Sequence, residues 1–303
     1  MMEYVIETRE LSREYGKLKA VDSLNLAVRP GEIYGFLGLN GAGKTTTIRM
    51  LLGMIRPGSG SVSLFGQEVR SGKGDFWNRT GHLVEVPYAY PELTVLENLW
   101  VCCRLRSIPL SSIDEVIGQL DLGRYRNVRA RNLSLGNAQR LGIARAMIHK
   151  PGLLILDEPA NGLDPAGIVQ IRELLMDLAL NHGVTVFVSS HILGEIARFA
   201  TRIGIIHEGC MIRETHTGEL DSERKRELHL RVPDQSKALE VLSTKGISCI
   251  ARENGDLVTT EEACISHPES IANLLVENKL PPSKLVVQEE ELEPYFLRLI
   301  HAN

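Results

Sequence analysis

The 303-residue chain lacks most of what would tie it to a membrane, an extracellular space or a nucleic acid. No run approaches the roughly 18 apolar residues that a helical bilayer span needs. The start, Met-Met-Glu-Tyr-Val, has neither the basic nor the apolar region of a signal peptide. A cytoplasmic location is therefore expected, with any membrane role supplied by a partner. There is no excess of positive charge: 34 Lys and Arg stand against 38 Asp and Glu, a formal net charge of −4. Composition thus gives no footprint of nucleic-acid binding. The five cysteines, Cys102, Cys103, Cys210, Cys249 and Cys264, are odd in number and contain no CxxC pair. That spacing argues against a zinc site and against a disulfide framework, so reduced thiols are expected. No internal repeat or low-complexity tract occurs.

What the chain does have is apolar material for a large core, 43% of its residues. Segments 3–10 and 20–28 read as strands around a turn at Tyr15-Gly16-Lys17. Ile33-Tyr34-Gly35-Phe36-Leu37 reads as a short buried strand, followed by a helix over about 44–54. Further strands are expected at 60–65 and 82–86. From about 92 to 150 the apolar spacing turns helical: Leu93, Leu96, Leu99, then Ile113, Val116, Ile117, Leu120. Uniformly apolar runs return at 153–156 and 184–188, as in strands covered on both faces of a parallel sheet. A helix over 165–181 lies between them and completes a β-α-β unit. After Leu220 the charged stretch 221–227 reads as a linker. Beyond it, strand, helix, two strands, helix, strand and a last helix (about 289–301) predict a small α+β domain. The fold class is thus α/β, with domains at 1–221 and 222–303 and a helical subdomain over about 86–150.

The strongest chemical signal is Gly38-Leu39-Asn40-Gly41-Ala42-Gly43-Lys44-Thr45, a GxxxxGK[ST] loop between a strand and a helix. Glycines let backbone N–H groups turn inward around phosphate oxygens, and the helix N-terminus adds positive potential. Asn40, Gly41, Ala42, Gly43, Lys44, Thr45 and Thr46 form the expected ATP-binding set, with Lys44 on the β- and γ-phosphates. Thr45 is an expected Mg²⁺ ligand. A second one, Asp157, ends the apolar run Leu153-Leu154-Ile155-Leu156. Glu158 follows and is placed to act as general base on the attacking water.

Further motifs carry a family resemblance. Leu133-Ser134-Leu135-Gly136-Asn137-Ala138-Gln139-Arg140 resembles the LSGGQ-type signature of ABC ATPases, 23 residues before Asp157. Ala160-Asn161-Gly162-Leu163-Asp164 resembles the D-loop, His191 the switch histidine, and Tyr15 the aromatic that stacks on adenine. The resemblance covers 3–220 and implies a P-loop cassette with a mixed sheet core, an antiparallel β subdomain and a helical subdomain. It also implies a head-to-tail homodimer in which Ser134 and Gly136 cap the γ-phosphate held by the opposite chain. His191 would hold that phosphate, and Asp164 would belong to the shared site. In this family the cassette is peripheral on the inner face of the membrane, driving an integral permease.

Two departures narrow the resemblance. Glu85 stands where a glutamine is usual, and Leu135 and Asn137 replace a glycine and a glutamine of the signature. With Tyr90-Pro91-Glu92-Leu93-Thr94 and the ending 291–300, this is similar to the ATPases of bacitracin-resistance and lantibiotic-immunity exporters. Glu85 is therefore expected to contact Mg²⁺ and water and to sense the permease; a tolerated surface carboxylate is the plainer alternative. The expected function is ATP hydrolysis driving antibiotic efflux. A soluble ABC ATPase of DNA repair or translation is the competing class. The 113 residues from Lys44 to Asp157 leave no room for a repair-type coiled coil, and one P-loop does not make a double cassette. A regulator without turnover is disfavoured by Glu158.

Overall fold

The computed structural model describes residues 3–69, 76–85, 89–252 and 254–301. They form two compact units that meet in sequence between Gly218 and Glu219.

The first unit is built on a six-stranded sheet. Its strands run, edge to edge, Cys210–His216, Arg202–His207, Ile33–Leu37, Thr185–Ser190, Leu153–Asp157 and Thr80–Leu83. All neighbours are parallel except the first pair. Every residue of Ile33–Leu37, Leu153–Asp157 and Thr185–Ser190 is buried, which explains their lack of polar alternation. Parallel register aligns their C-terminal ends: Leu37 pairs with Ser190, and Asp157 with Ser189. The phosphate loop, the Asp157-Glu158 pair and the Ser190-His191 turn therefore leave the sheet along one edge, where ligands of open α/β sheets bind.

A four-stranded antiparallel sheet, Leu18–Val28, Ile6–Tyr15, Ser59–Leu64 and Gln67–Glu68, stands beside it. The helical part contains Val95–Arg106, Ser111–Gln119 and Leu135–Met147. A capping box of Thr94 and Glu97 starts the first of these. The fully buried Asn98 amide donates to the carbonyls of Tyr90, Leu93 and Thr94 and so pins the loop before it.

Several elements differ from the sequence expectation. The helix after the phosphate loop ends at Leu51, and Gly53 in the left-handed region (φ 62°) turns the chain away. The strand expected at 82–86 is Thr80–Leu83; residues 86–88 lie outside the described ones. Segment 200–216, to which the sequence reading assigned no element, is a hairpin. Glu208 (φ 47°) and Gly209 (φ 83°) form its two-residue turn.

The second unit has a four-stranded antiparallel sheet ordered Ile250–Ala251, Leu257–Thr259, Arg226–Arg231, Lys284–Glu289. Helices Gln235–Thr244 and Pro268–Glu277 cover one face, packing Ala238, Leu242, Ile271 and Leu275 on Leu228, Leu230 and Leu257. The first of the two adjacent strands expected in the middle of this unit is only two residues long, and a short helix, Glu262–Ser266, was not expected. The stretch 221–227 is folded rather than a linker. Its charges of both signs find partners: Arg224 bonds Asp221 and Glu289, each at 2.7 Å, and Arg226 begins a strand. All five cysteines are free thiols.

Candidate nucleotide site

Two glycines of the phosphate loop are steric necessities. A Cβ on Gly38 would lie 2.6 Å from the carbonyl oxygen of Ile206, and one on Gly43 would lie 2.3 Å from that of Ala20. Gly43, at φ 107°, also caps the helix Lys44–Leu51 without any side-chain hydrogen bond. The first helical amides are thus left for an anion. Lys44 is buried, and its Nζ donates to the carbonyls of Gly38 (2.7 Å) and Leu39 (3.3 Å) while lying 3.3 Å from Glu158 Oε1. The loop's own oxygens hold the ammonium at the place where phosphate charge would arrive.

Asp157 is 2% exposed, and both carboxylate oxygens have a hydroxyl donor. Thr45 Oγ1 donates to Oδ2 at 2.8 Å, and Ser189 Oγ donates to Oδ1 at 2.5 Å. The Glu158 amide donates in turn to Ser189 Oγ at 3.0 Å. Glu158 has a left-handed backbone (φ 50°), a conformation that costs about 1–3 kcal/mol for such a residue. That geometry sends its side chain to Lys44 on one side and to His191 on the other, with Oε2 2.8 Å from His191 Nδ1. Gln139, from the helix Leu135–Met147, donates to the Glu158 carbonyl at 3.2 Å.

Lys44, Thr45, Asp157, Glu158 and His191 are therefore brought together, as their sequence motifs predict. Ser189 and Gln139 were missed as members. The signal for Ser189 was its position two residues before His191, but only strand register places it against Asp157.

The other candidates make contacts of their own. Ser134 caps the helix Leu135–Met147, accepting the Asn137 amide at 3.3 Å, and its O–H remains a donor. Asp164 caps the helix Pro165–His182, accepting from the Gly167 amide at 2.9 Å. Leu135 lies over Gly162, where a Cβ would come within 2.3 Å of its Cδ2; the small residue of the 160–164 loop accommodates the large one in the signature. A Cβ on Gly136 would meet Leu163 at 3.2 Å. Tyr15 is half-exposed at a strand end, with the Arg13 guanidinium 4.9 Å from its ring centre. Asn40 and Gly41 are exposed, Ala42 is buried and Thr46 is partly buried. Glu85 has a left-handed backbone (φ 59°), and its carboxylate is paired with Arg49 at 2.6 Å. It borders a groove of about 490 Å³ with His82, Arg106, Arg145 and His149. Burial, and then the nearby Arg106, holds the His149 imidazole down to about 4, and burial lowers that of His82 as well.

Thr45 and Asp157 place hard oxygen donors side by side next to the phosphate loop. Among the described residues no group of three or more His, Cys, Asp or Glu could hold a metal. A cation here would complete its shell with phosphate oxygens and water, as Mg²⁺ commonly does. A cavity of about 610 Å³ opens beside Glu158 and His191, bordered by Asn161, Leu163 and Ile192.

A family described as ABC transporter matches residues 21–161. The bacitracin transport ATP-binding protein BcrA of Bacillus licheniformis is 41% identical, over 99% of this chain and 98% of its own length. The lantibiotic transport ATP-binding protein SrtF of Streptococcus pyogenes is 36% identical over 69% of this chain and 90% of its own. A dimeric ATP-binding cassette solved in a post-hydrolysis state with ADP and Pi superposes with a TM-score of 0.64. It is 25% identical and covers 70% of this chain and 98% of that one. The matched region includes the phosphate loop, Asp157 and Glu158. By sequence, fold and site, the chain belongs to the ATP-binding proteins of the ABC transporter family.

Proposed function

We propose that the chain is the ATP-hydrolysing subunit of an exporter, energising efflux of a bacitracin- or lantibiotic-like peptide antibiotic through a separate membrane permease. One observation carries the chemistry: Glu158 is clamped between Lys44 and His191, next to Asp157. Whole-length similarity to BcrA supports the transport class over a soluble repair or translation ATPase.

Nucleotide phosphates draw the Lys44 ammonium from the Gly38 carbonyl and from Glu158. Thr45 and Asp157 would hold Mg²⁺, which when bound would offset phosphate charge. Released from Lys44, Glu158 orients the attacking water and accepts its proton, while His191 fixes the carboxylate through Nδ1. Tyr15 turns from Arg13 to the adenine. The site closes in a head-to-tail homodimer, where the Ser134 hydroxyl and the Gly136 amide of the second chain meet the γ-phosphate. The groove beside Glu85 and Arg49 receives the permease at the inner face of the membrane, so that closure is felt there.

Glu158→Gln tests this directly. It should lower phosphate release by about 10²–10⁴-fold. ATP should still bind, and the ATP-bound chain should sediment as a dimer. Normal turnover in this variant would remove Glu158 from the role of base.

A further inference from the structure

The backbone of Glu158 is gripped from both sides by side chains of other elements. Ser189 Oγ accepts its amide at 3.0 Å, and Gln139 Nε2 donates to its carbonyl at 3.2 Å. The first bond holds the peptide plane before Cα and the second holds the plane after it, so φ and ψ are each pinned. That matters because φ is 50°, a region that a non-glycine residue keeps only when its surroundings impose it. The Asn161 amide also donates to the Glu158 carbonyl, at 3.1 Å, but it belongs to the same turn and moves with it. Gln139 comes from elsewhere, the helix Leu135–Met147, and is 3% exposed. A buried amide needs a partner, and among the described residues the Glu158 carbonyl is the one it has.

The same helix makes two further contacts with the segment after Glu158. Leu135 lies over Gly162, and Gly136 faces Leu163. Positions 135 and 136 stand four and three residues before 139, so all three share one helix face. That stripe follows the chain from Glu158 to Leu163. The helix capped by Ser134 is thereby tied to the Glu158 peptide of its own chain. We propose that Gln139 is a positioning residue for ATP hydrolysis, holding the Glu158 peptide so that the carboxylate stays between Lys44 and His191. This rests on the reading of Glu158 as general base. Without the Gln139 bond the peptide plane after Cα turns, and the residue relaxes out of the left-handed region. Its carboxylate then leaves His191 Nδ1, 2.8 Å away when the clamp is intact. Lys44 and Thr45 keep their own partners in the Gly38 carbonyl and Asp157, so nucleotide binding is spared.

ATPase kinetics of the full chain test it. Gln139→Met removes the donor, nearly keeps the length and helix propensity, and buries no new polar group. Its kcat should fall about tenfold, while KM for ATP stays within about twofold. Gln139→Leu, a second donor-free variant, should behave alike; a KM that rises with the fall in kcat in both would show general damage and overturn the positioning role. The double variant shows whether Gln139 acts through Glu158. In Glu158→Gln the base is already gone, so adding Gln139→Met should change the residual single-turnover rate by less than about twofold. Losses that multiply would mean that Gln139 works independently of Glu158, and the inference falls. Normal turnover in Glu158→Gln would remove the base reading itself. Low turnover there, with wild-type kcat in Gln139→Met, would remove the role of Gln139 alone.

Discussion

Lys44, Thr45, Asp157, Glu158, Ser189 and His191 bond to one another, whereas Ser134 and Asp164 use their side chains to cap the helices they precede. The first group is a chemical centre within one chain. The second has a spare Ser134 O–H and helix-end amides; among the described residues no hydrogen bond joins Ser134 or Asp164 to the first group, and only Gln139, on the helix that Ser134 caps, reaches the Glu158 carbonyl. The contrast teaches what each half needs. The sheet-edge half is fixed by register inside one molecule; Ser134 and Asp164 are fixed in orientation by the helices they cap.

Mixing variants tests that contrast most severely. Lys44→Ala and Ser134→Ala should each lower ATP turnover by on the order of 100-fold, as loss of a preorganised phosphate contact does. If the two halves work in different chains, an equimolar mixture recovers turnover that neither variant has alone. A mixture as inactive as its components would place both halves in one chain. Next in size is Ser189→Ala, which leaves Asp157 Oδ1 and the Glu158 amide without their shared hydroxyl. Unfolding by urea should show a loss of about 1–3 kcal/mol, with turnover falling at the same time. An unchanged stability would mean that Ser189 holds neither group.

Glu85→Gln is expected to have a smaller effect. It keeps the shape but removes the charge that faces Arg49, and both ATPase activity and antibiotic resistance should drop a few-fold. If both are untouched, Glu85 is a tolerated surface carboxylate. The smallest effect concerns acid stability. His149 is neutral in the fold down to about pH 4, while the unfolded imidazole takes up a proton below its ordinary 6.5. Between those values the unfolded chain binds more protons, so stability falls as pH falls through this window. His149→Gln should flatten that part of the denaturation profile; an identical profile would assign the acid sensitivity elsewhere.

The motifs were legible because their chemistry is local. A GxxxxGK[ST] loop needs adjacent amides, and an Asp-Glu pair at a strand end needs only the strand before it. The linker expected at 221–227 failed for a related reason: its charges look solvated in sequence, yet Arg224 finds Glu289 some 65 residues later. Leu135 departs from the signature in sequence, and only the fold brings it against Gly162, whose missing Cβ makes room for it.

By itself, the sequence determined the phosphate loop, the buried parallel strands that carry Asp157, and the helix-starting roles that Ser134 and Asp164 were free to take. Each follows from neighbours within a few residues: glycine geometry, apolar continuity, a cap at a helix start. Only the tertiary structure decided that Ser189 bonds Asp157 across 32 residues, that Glu158 sits between Lys44 and His191, and that Arg224 meets Glu289 across 65. Those depend on strand order and register, which are settled by how whole faces bury against one another rather than by any short run of residues.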